Sequence, residues 1–192
     1  KDNLSSLDKK RPGVIHRLDK FTSGIILFAK TDIAHYSLSS QFAERKIKKK
    51  YKALVWGDKI NNGKIKGMIA RNPRNRLAYA VSDKKGKFSM TDFEIEERFN
   101  FPITLLNVYP FTGRTHQIRV HLSSIGNPII NDSLYGGSYE KIKSFNSQYK
   151  SSSKKIFNKI LRVALHANTI IFIHPIYKKR FELSAPIPKD FL

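Results

Sequence analysis

The sequence predicts an α+β domain, a mostly antiparallel mixed β-sheet with flanking helices and loops. Three observations predict it. Short β-branched runs bounded by Gly, Pro or Asn-Gly outnumber helix-period stretches along the 192 residues, as strands joined by tight turns do. Only two stretches carry a firm helical period. Hydrophobic residues make up 40% of the chain, with 13 Phe, enough apolar material for one good-sized core at this length.

Taken in order, Val14–Ile15 and Ile25–Ala29 read as short buried strands on either side of a polar loop. Thr31 or Asp32 can cap a helix whose apolar residues Ala34, Leu38 and Phe42 recur every four positions, ending near 45–50. Tyr51–Trp56 then reads as a strand. Lys64–Ala70, Leu77–Val81, Met90–Phe99 and Ile103–Tyr109 follow as further strands, separated by Asn-Gly, Asn-Pro and Lys-Lys-Gly turns. Thr115–Ile125 switches to a helical period and Gly126 stops it. The polar stretch Asn131–Tyr149, with Ser151-Ser-Ser-Lys-Lys after it, reads as a loop and a weak helix or mobile segment. Leu161–Ala167, Thr169–His174 and Arg180–Ala185 read as closing strands, with Pro186 and Pro188 marking the exit. No internal repeat or convincing linker divides the chain, so residues 1–192 are read as one domain.

Thirty-six Lys+Arg against 15 Asp+Glu give a formal charge of +21. Such a surface repels itself unless an anion neutralises part of it, and nucleic acid is the leading partner. An acidic membrane surface comes second, because no basic amphipathic helix dominates and no apolar run approaches the roughly 20 residues of a spanning helix. Zero Cys excludes disulfides and thiolate metal sites and fits a reducing, cytoplasmic setting.

Three distant segments carry chemistry. In His16-Arg17-Leu18-Asp19-Lys20-Phe21-Thr22-Ser23-Gly24 a carboxylate sits among basic residues just before a small-residue turn. Alone, an Arg-x-Asp more often caps a turn. A guanidinium within about 4–6 Å would favour the ionised, nucleophilic form by roughly 1–3 pKa units. Lys46–Lys52 interleaves a basic run with Tyr51, whose ring can stack on an extruded base while its hydroxyl hydrogen-bonds. Gly113-Arg114-Thr115-His116-Gln117-Ile118-Arg119-Val120-His121 brings two Arg and two His to a turn-to-helix transition, and Arg can pair with carboxylate or phosphate through two parallel bonds. His116 and His121 are five apart, an awkward spacing for one helix face. With no compact acidic cluster to complete a site, no metal is expected.

Together these segments resemble the ribosomal large-subunit pseudouridine synthases of the RluA/RluC/RluD type. The resemblance rests on His16-Arg17-Leu18-Asp19-x-x-Thr22-Ser23-Gly24 with Ala29-Lys30, on Lys50-Tyr51, and on Gly113–His121. Gly126-x-Pro128-Ile129 with Asp132-x-x-Tyr135-Gly136, and Leu165-His166-Ala167 with His174-Pro175, add later blocks, so it runs from about Arg11 to Ala185. It implies the pseudouridine synthase catalytic fold and isomerisation of uridine in RNA, most of all large-subunit rRNA with tRNA as the other choice, with no metal or organic cofactor. By motif position it makes Asp19, Tyr51 and Arg119 the catalytic residues, with Arg17, Leu18 and Leu165 in the pocket. Lys48, Lys50, Lys52, Arg114 and His116 are then expected on the RNA path. The residues alone leave Arg114 as the other candidate partner of Asp19.

Family members usually carry a strand and a Lys-Pro segment ahead of the Arg-Pro-Gly run, and many an S4 RNA-binding domain. The expectation is thus a catalytic domain lacking its N-terminal strand or strands and any S4 domain, cytoplasmic, monomeric and without a membrane anchor. The alternative reading is a non-catalytic basic RNA-binding module, such as a ribosome-assembly or tRNA-binding factor, in which Asp19 is only structural.

Overall fold

A computed structural model describes residues 4–191. Its order is β1 (Ser23–Gly24), α1 (Asp32–Ala43), β2 (Lys48–Trp56), β3 (Gly63–Arg71), β4 (Tyr79–Ser82), β5 (Lys87–Arg98), β6 (Ile103–Pro110), α2 (Gln117–Ser124), α3 (Glu140–Lys143), α4 (Ser147–Lys159), β7 (Leu165–Ile173) and β8 (Arg180–Ser184). The strands form one mixed sheet ordered β1-β7-β2-β6-β5-β3-β4, with β8 also pairing β7. Every pairing is antiparallel except β1 with β7. The fold is therefore α+β, as the sequence predicts.

The middle strands hold the core. Ala53, Val55, Trp56, Leu106 and Val108 are fully buried, each large aliphatic contributing about 1.5–3 kcal/mol relative to exposure. Trp56 Nε1–H donates to the Gly137 carbonyl at 3.1 Å, so the indole is buried with its polar atom satisfied.

Helix α1 starts where Thr31 Oγ1 accepts the Ala34 N–H at 3.2 Å, the capping geometry its sequence suggests. Its Leu38 joins Ile47, Ile170 and Phe172 in a second apolar cluster. Gln41 meets the Ile173 backbone at both amide atoms, 2.8 Å each way, as a neighbouring strand would.

Several elements differ from the sequence reading. Residues 14–15 and 25–29 are not strands beyond a single bridge, Val14 to Phe28, because the Leu27 N–H donates to His16 Nε2 at 2.8 Å instead of to a strand neighbour. Helix α1 stops at Ala43, and β2 begins three residues earlier than expected, so Lys48–Lys50 belong to the strand. The two strands expected at 161–167 and 169–174 are one continuous β7. Finally, α4 is a full 13-residue helix, capped by Asn146 accepting the Gln148 N–H. Its apolar contact with the core comes from C-terminal Ile156 and Phe157, beside buried Ser153, too short an apolar stripe to stand out in the sequence.

Candidate active site

Asp19 opens a tight turn, closed by the Thr22 N–H donating to the Asp19 carbonyl at 3.0 Å. The chain then runs straight into β1, where Ser23 pairs with His166 and Gly24 with Ala167. Gly24 has φ +113, and a Cβ there would lie 2.2 Å from the Ala167 carbonyl oxygen. Only glycine permits that approach. Ser23 Oγ adds a 2.9 Å hydrogen bond to His166 Nδ1. The loop carrying Asp19 is thus seated on β7.

Helix α2 supplies the opposing charge. Arg119 Nη1–H donates to Asp19 Oδ2 at 3.2 Å, while Nε–H and Nη2–H donate to Asp132 Oδ2 and Oδ1 at 2.7 and 2.9 Å. The Tyr135 ring lies 4.9 Å from the same guanidinium, within cation–π range. Burial alone would lower the Arg119 pKa, but the hydrogen bonds and charge of Asp132, then those of Asp19, hold it above its ordinary value. Arg119 rather than Arg114 therefore meets Asp19. Arg114 Nε–H donates to the Phe88 carbonyl at 3.0 Å.

What fixes α2 is a buried polar chain beneath it. Gln117 Nε2–H donates to Thr91 Oγ1 at 2.9 Å and to the Met90 carbonyl, while its Oε1 accepts from Thr112 Oγ1 and the Arg114 N–H. Thr91 and Ser89 hold fully buried His121 at its two ring nitrogens, 2.9 and 2.8 Å. Because Ser89 Oγ–H donates to the Gly67 carbonyl, it must accept from His121 Nε2–H, which leaves Nδ1 to accept from Thr91. The network needs neutral His121, and burial pushes its pKa down to about 4.

These elements enclose a cavity of about 320 Å³ lined by Asp19, Tyr51, Arg119, Arg17, Leu18, Leu165, Arg114 and His116. Eight of the eleven residues singled out from the sequence thus come together. Burial, with the charge of Asp19 adding, pushes the Tyr51 phenol up to about 12, so it stays protonated at neutral pH. His116 is held in the wall with Nδ1 2.8 Å from the Tyr135 hydroxyl and its ring edge-on to Tyr79 and Tyr135. Its pKa is lowered, by burial first and then by Arg119.

The three lysines do not join them. Lys52, expected on an RNA path, is buried and ion-paired with Glu96, so it cannot reach a phosphate. Lys48 and Lys50 do not line the cavity. Alternation along β2 places them on the other face from Tyr51, and the face of Tyr51 presents Lys49 instead. Lys49 does line the cavity, and burial lowers its pKa to about 8. Its signal in the sequence was its position two residues before Tyr51. Asp132 carries no role in the sequence beyond its motif; the clue is an acid two residues after the apolar run Pro128-Ile129-Ile130, where a carboxylate needs a cation beside it. Asn131, with φ +62, tolerates the left-handed turn before it, and its Nδ2 donates to the Phe157 carbonyl at 2.9 Å and to the Ile160 carbonyl. Among the described residues, no three His, Cys, Asp or Glu side chains gather as a metal site, and no helix is long and apolar enough to cross a membrane.

The family model described as RNA pseudouridylate synthase matches residues 1–124. The chain belongs to that family. Among the relatives of this pseudouridylate synthase family member is an uncharacterized RNA pseudouridine synthase of Chlorobaculum parvum, 41% identical over 98% of this chain and 59% of the relative. The ribosomal large subunit pseudouridine synthase D of Buchnera aphidicola subsp. Schizaphis graminum is 40% identical over 98% of this chain and 58% of its own length. Human RNA pseudouridylate synthase domain containing 1 superposes with a TM-score of 0.71 at 29% identity, covering 90% of this chain and 68% of that one. This family member spans somewhat over half the length of the curated relatives it matches.

Proposed function

We infer that the cavity isomerises uridine in RNA, with large-subunit ribosomal RNA as the substrate, and that Asp19 is its catalytic group. The observation that carries this reading is one carboxylate at a nucleoside-sized cavity, held by Arg119 and facing the protonated phenol of Tyr51 and the apolar wall of Leu165.

The N1–C1′ bond breaks with positive charge developing at C1′, and a carboxylate on that face stabilises or traps it, as in retaining glycosidases. Asp19 either adds to C1′ or removes the C2′ proton. In the first route the freed uracil turns and C5 displaces the carboxylate, breaking the Asp19–C1′ bond; in the second C5 adds to C1′ as C2′ regains its proton from Asp19. In both, the C5 proton then leaves and N1 gains one. Tyr51 and Leu165 keep the base in place while it turns, with the phenol serving as donor and stacking face. Arg119, fixed by Asp132, positions Asp19. Extruding the nucleotide costs a few kcal/mol, which contacts between the basic surface and RNA phosphates offset.

Mapping pseudouridines in total RNA from cells with and without the gene tests the reading, with Asp19→Asn supplied in its place. Loss of particular large-subunit rRNA sites, not restored by Asp19→Asn, is the expected result. RNA bound without any pseudouridine formed would leave only a binding module, and free base or cut RNA would mean hydrolysis.

A further inference from the structure

Beside the Asp19 cavity, on the side where β2 begins, lies a second cavity of about 350 Å³ lined by Arg45, Lys49, Arg114 and the rings of Phe42 and Phe111, with no carboxylate in its wall. Lys49, Phe42 and Arg114 line both cavities, so the two are contiguous. The Gly113 backbone passes so near that a methyl group there would sit 3.7 Å from Lys49 Nζ. Among the described residues Arg45, Lys49 and Arg114 take part in no ion pair. Phe111 is 48% exposed, with the Arg45 guanidinium 5.4 Å from its ring centre.

Three cations without a carboxylate partner converge around one half-exposed aromatic ring; Arg114 is tied to the Phe88 carbonyl and Arg45 lies over Phe111, but neither contact neutralises charge. Their mutual repulsion is relieved by an anion, and the ring offers a stacking face that any base satisfies. The cavity on the other side of Arg119 makes the contrast. There the wall includes Lys20, Arg119 and Arg162, but Arg119 is paired with Asp132 in the same wall and Arg162 with Asp190, so less of the positive charge is left for a phosphate.

Resting on the reading of the first cavity as the uridine pocket, we propose that the second is the subsite for the nucleotide next to the target uridine. Lys49, at the junction, binds the phosphate linking the two nucleotides; Arg45 and Arg114 hold the following phosphate; and Phe111 stacks on the neighbouring base. The subsite grips single-stranded RNA whatever its sequence, and the choice of target uridine lies elsewhere.

The test is binding of fluorescein-labelled nonauridylate across a KCl series, using the full-length protein with Asp19→Asn so that no bond changes during titration. A single strand gives a slope of about −0.7 in log K against log[salt] for each phosphate neutralised. Lys49→Met and Arg45→Gln are each expected to flatten the slope by about 0.7, and Lys49→Arg to keep it. Phe111→Ala should weaken binding about 5- to 100-fold with the slope unchanged, and Lys84→Gln, on the β4–β5 turn, should change nothing. Equal slopes and affinities for Lys49→Met, Arg45→Gln and the parent, with circular dichroism showing all three folded, would overturn the subsite. If the slopes fall as expected while the pseudouridine map does not depend on Asp19, the subsite stands and the isomerase reading fails; the converse result separates them the other way.

Discussion

Asp19 and Asp132 share the guanidinium of Arg119 and are held in different ways. Asp132 is 1% exposed in its side chain and takes two short hydrogen bonds; Asp19 is 21% exposed and takes one longer bond. Their surroundings explain this. Asp132 lies in a buried turn whose neighbours Ile129 and Ile130 exclude water, so it needs full pairing. Asp19 stands on a turn at the cavity wall. Identical chemistry is thus fully paired as an anchor in one place and left partly open to the cavity in the other.

Asp19→Asn breaks the comparison most severely. Pseudouridine formation should fall by on the order of 10⁴-fold or more, while the melting free energy changes by less than about 1 kcal/mol and RNA binding persists. Parallel turnover, denaturation and RNA-binding measurements check all three. Asp132→Asn should do the reverse, removing about 3–5 kcal/mol of stability in urea denaturation by leaving a buried guanidinium half-paired. Its turnover should drop only about 10²-fold or less, through the displaced Arg119.

Acid separates scaffold from chemistry in a third way. His121 is neutral in the folded protein, with a pKa of about 4 against an ordinary 6.5. The unfolded chain therefore binds the extra proton first. Its contribution is complete above pH 6.5 and is lost as pH falls towards 4, about 3 kcal/mol in all. Denaturation at a series of pH values should show this slope, and His121→Gln, less stable throughout, should lose it. The smallest effect is expected from Ser23→Ala, which removes the 2.9 Å bond to His166. It should cost about 1 kcal/mol, a melting shift of roughly 2–4 °C, and reduce turnover a few-fold by loosening the seat of the Asp19 loop.

Much of this was legible in the sequence because it was local. Thr31 caps α1, Gly126 follows α2, and the β-branched runs fall on β3, β5 and β6. The motif order pointed to Asp19, Tyr51 and Arg119, which do meet. The hidden parts depended on partners far along the chain or on which face a residue takes. Asp132 could not be tied to Arg119 without the turn that brings them together, and Lys52 could not be known to be buried until β5 placed Glu96 beside it. Lys49 was within reach of simple alternation, since a strand that turns Tyr51 inward turns Lys49 inward too. Helix α4 was obscured by its serines and lysines, which advertise a loop.

The pairing of Ser23–Gly24 with His166–Ala167 has a consequence in time. A ribosome delivers residue 24 long before residue 167, at about 5–20 residues per second. During that interval the turn bearing Asp19 has been made but has no strand to rest on, whereas β2, β6 and α2, all complete by Ser124, can already pack together. The emerging chain therefore displays much of its basic surface before the Asp19 carboxylate is in register. Until β7 leaves the exit tunnel, the turn that carries Asp19 has no strand to hold it against Arg119.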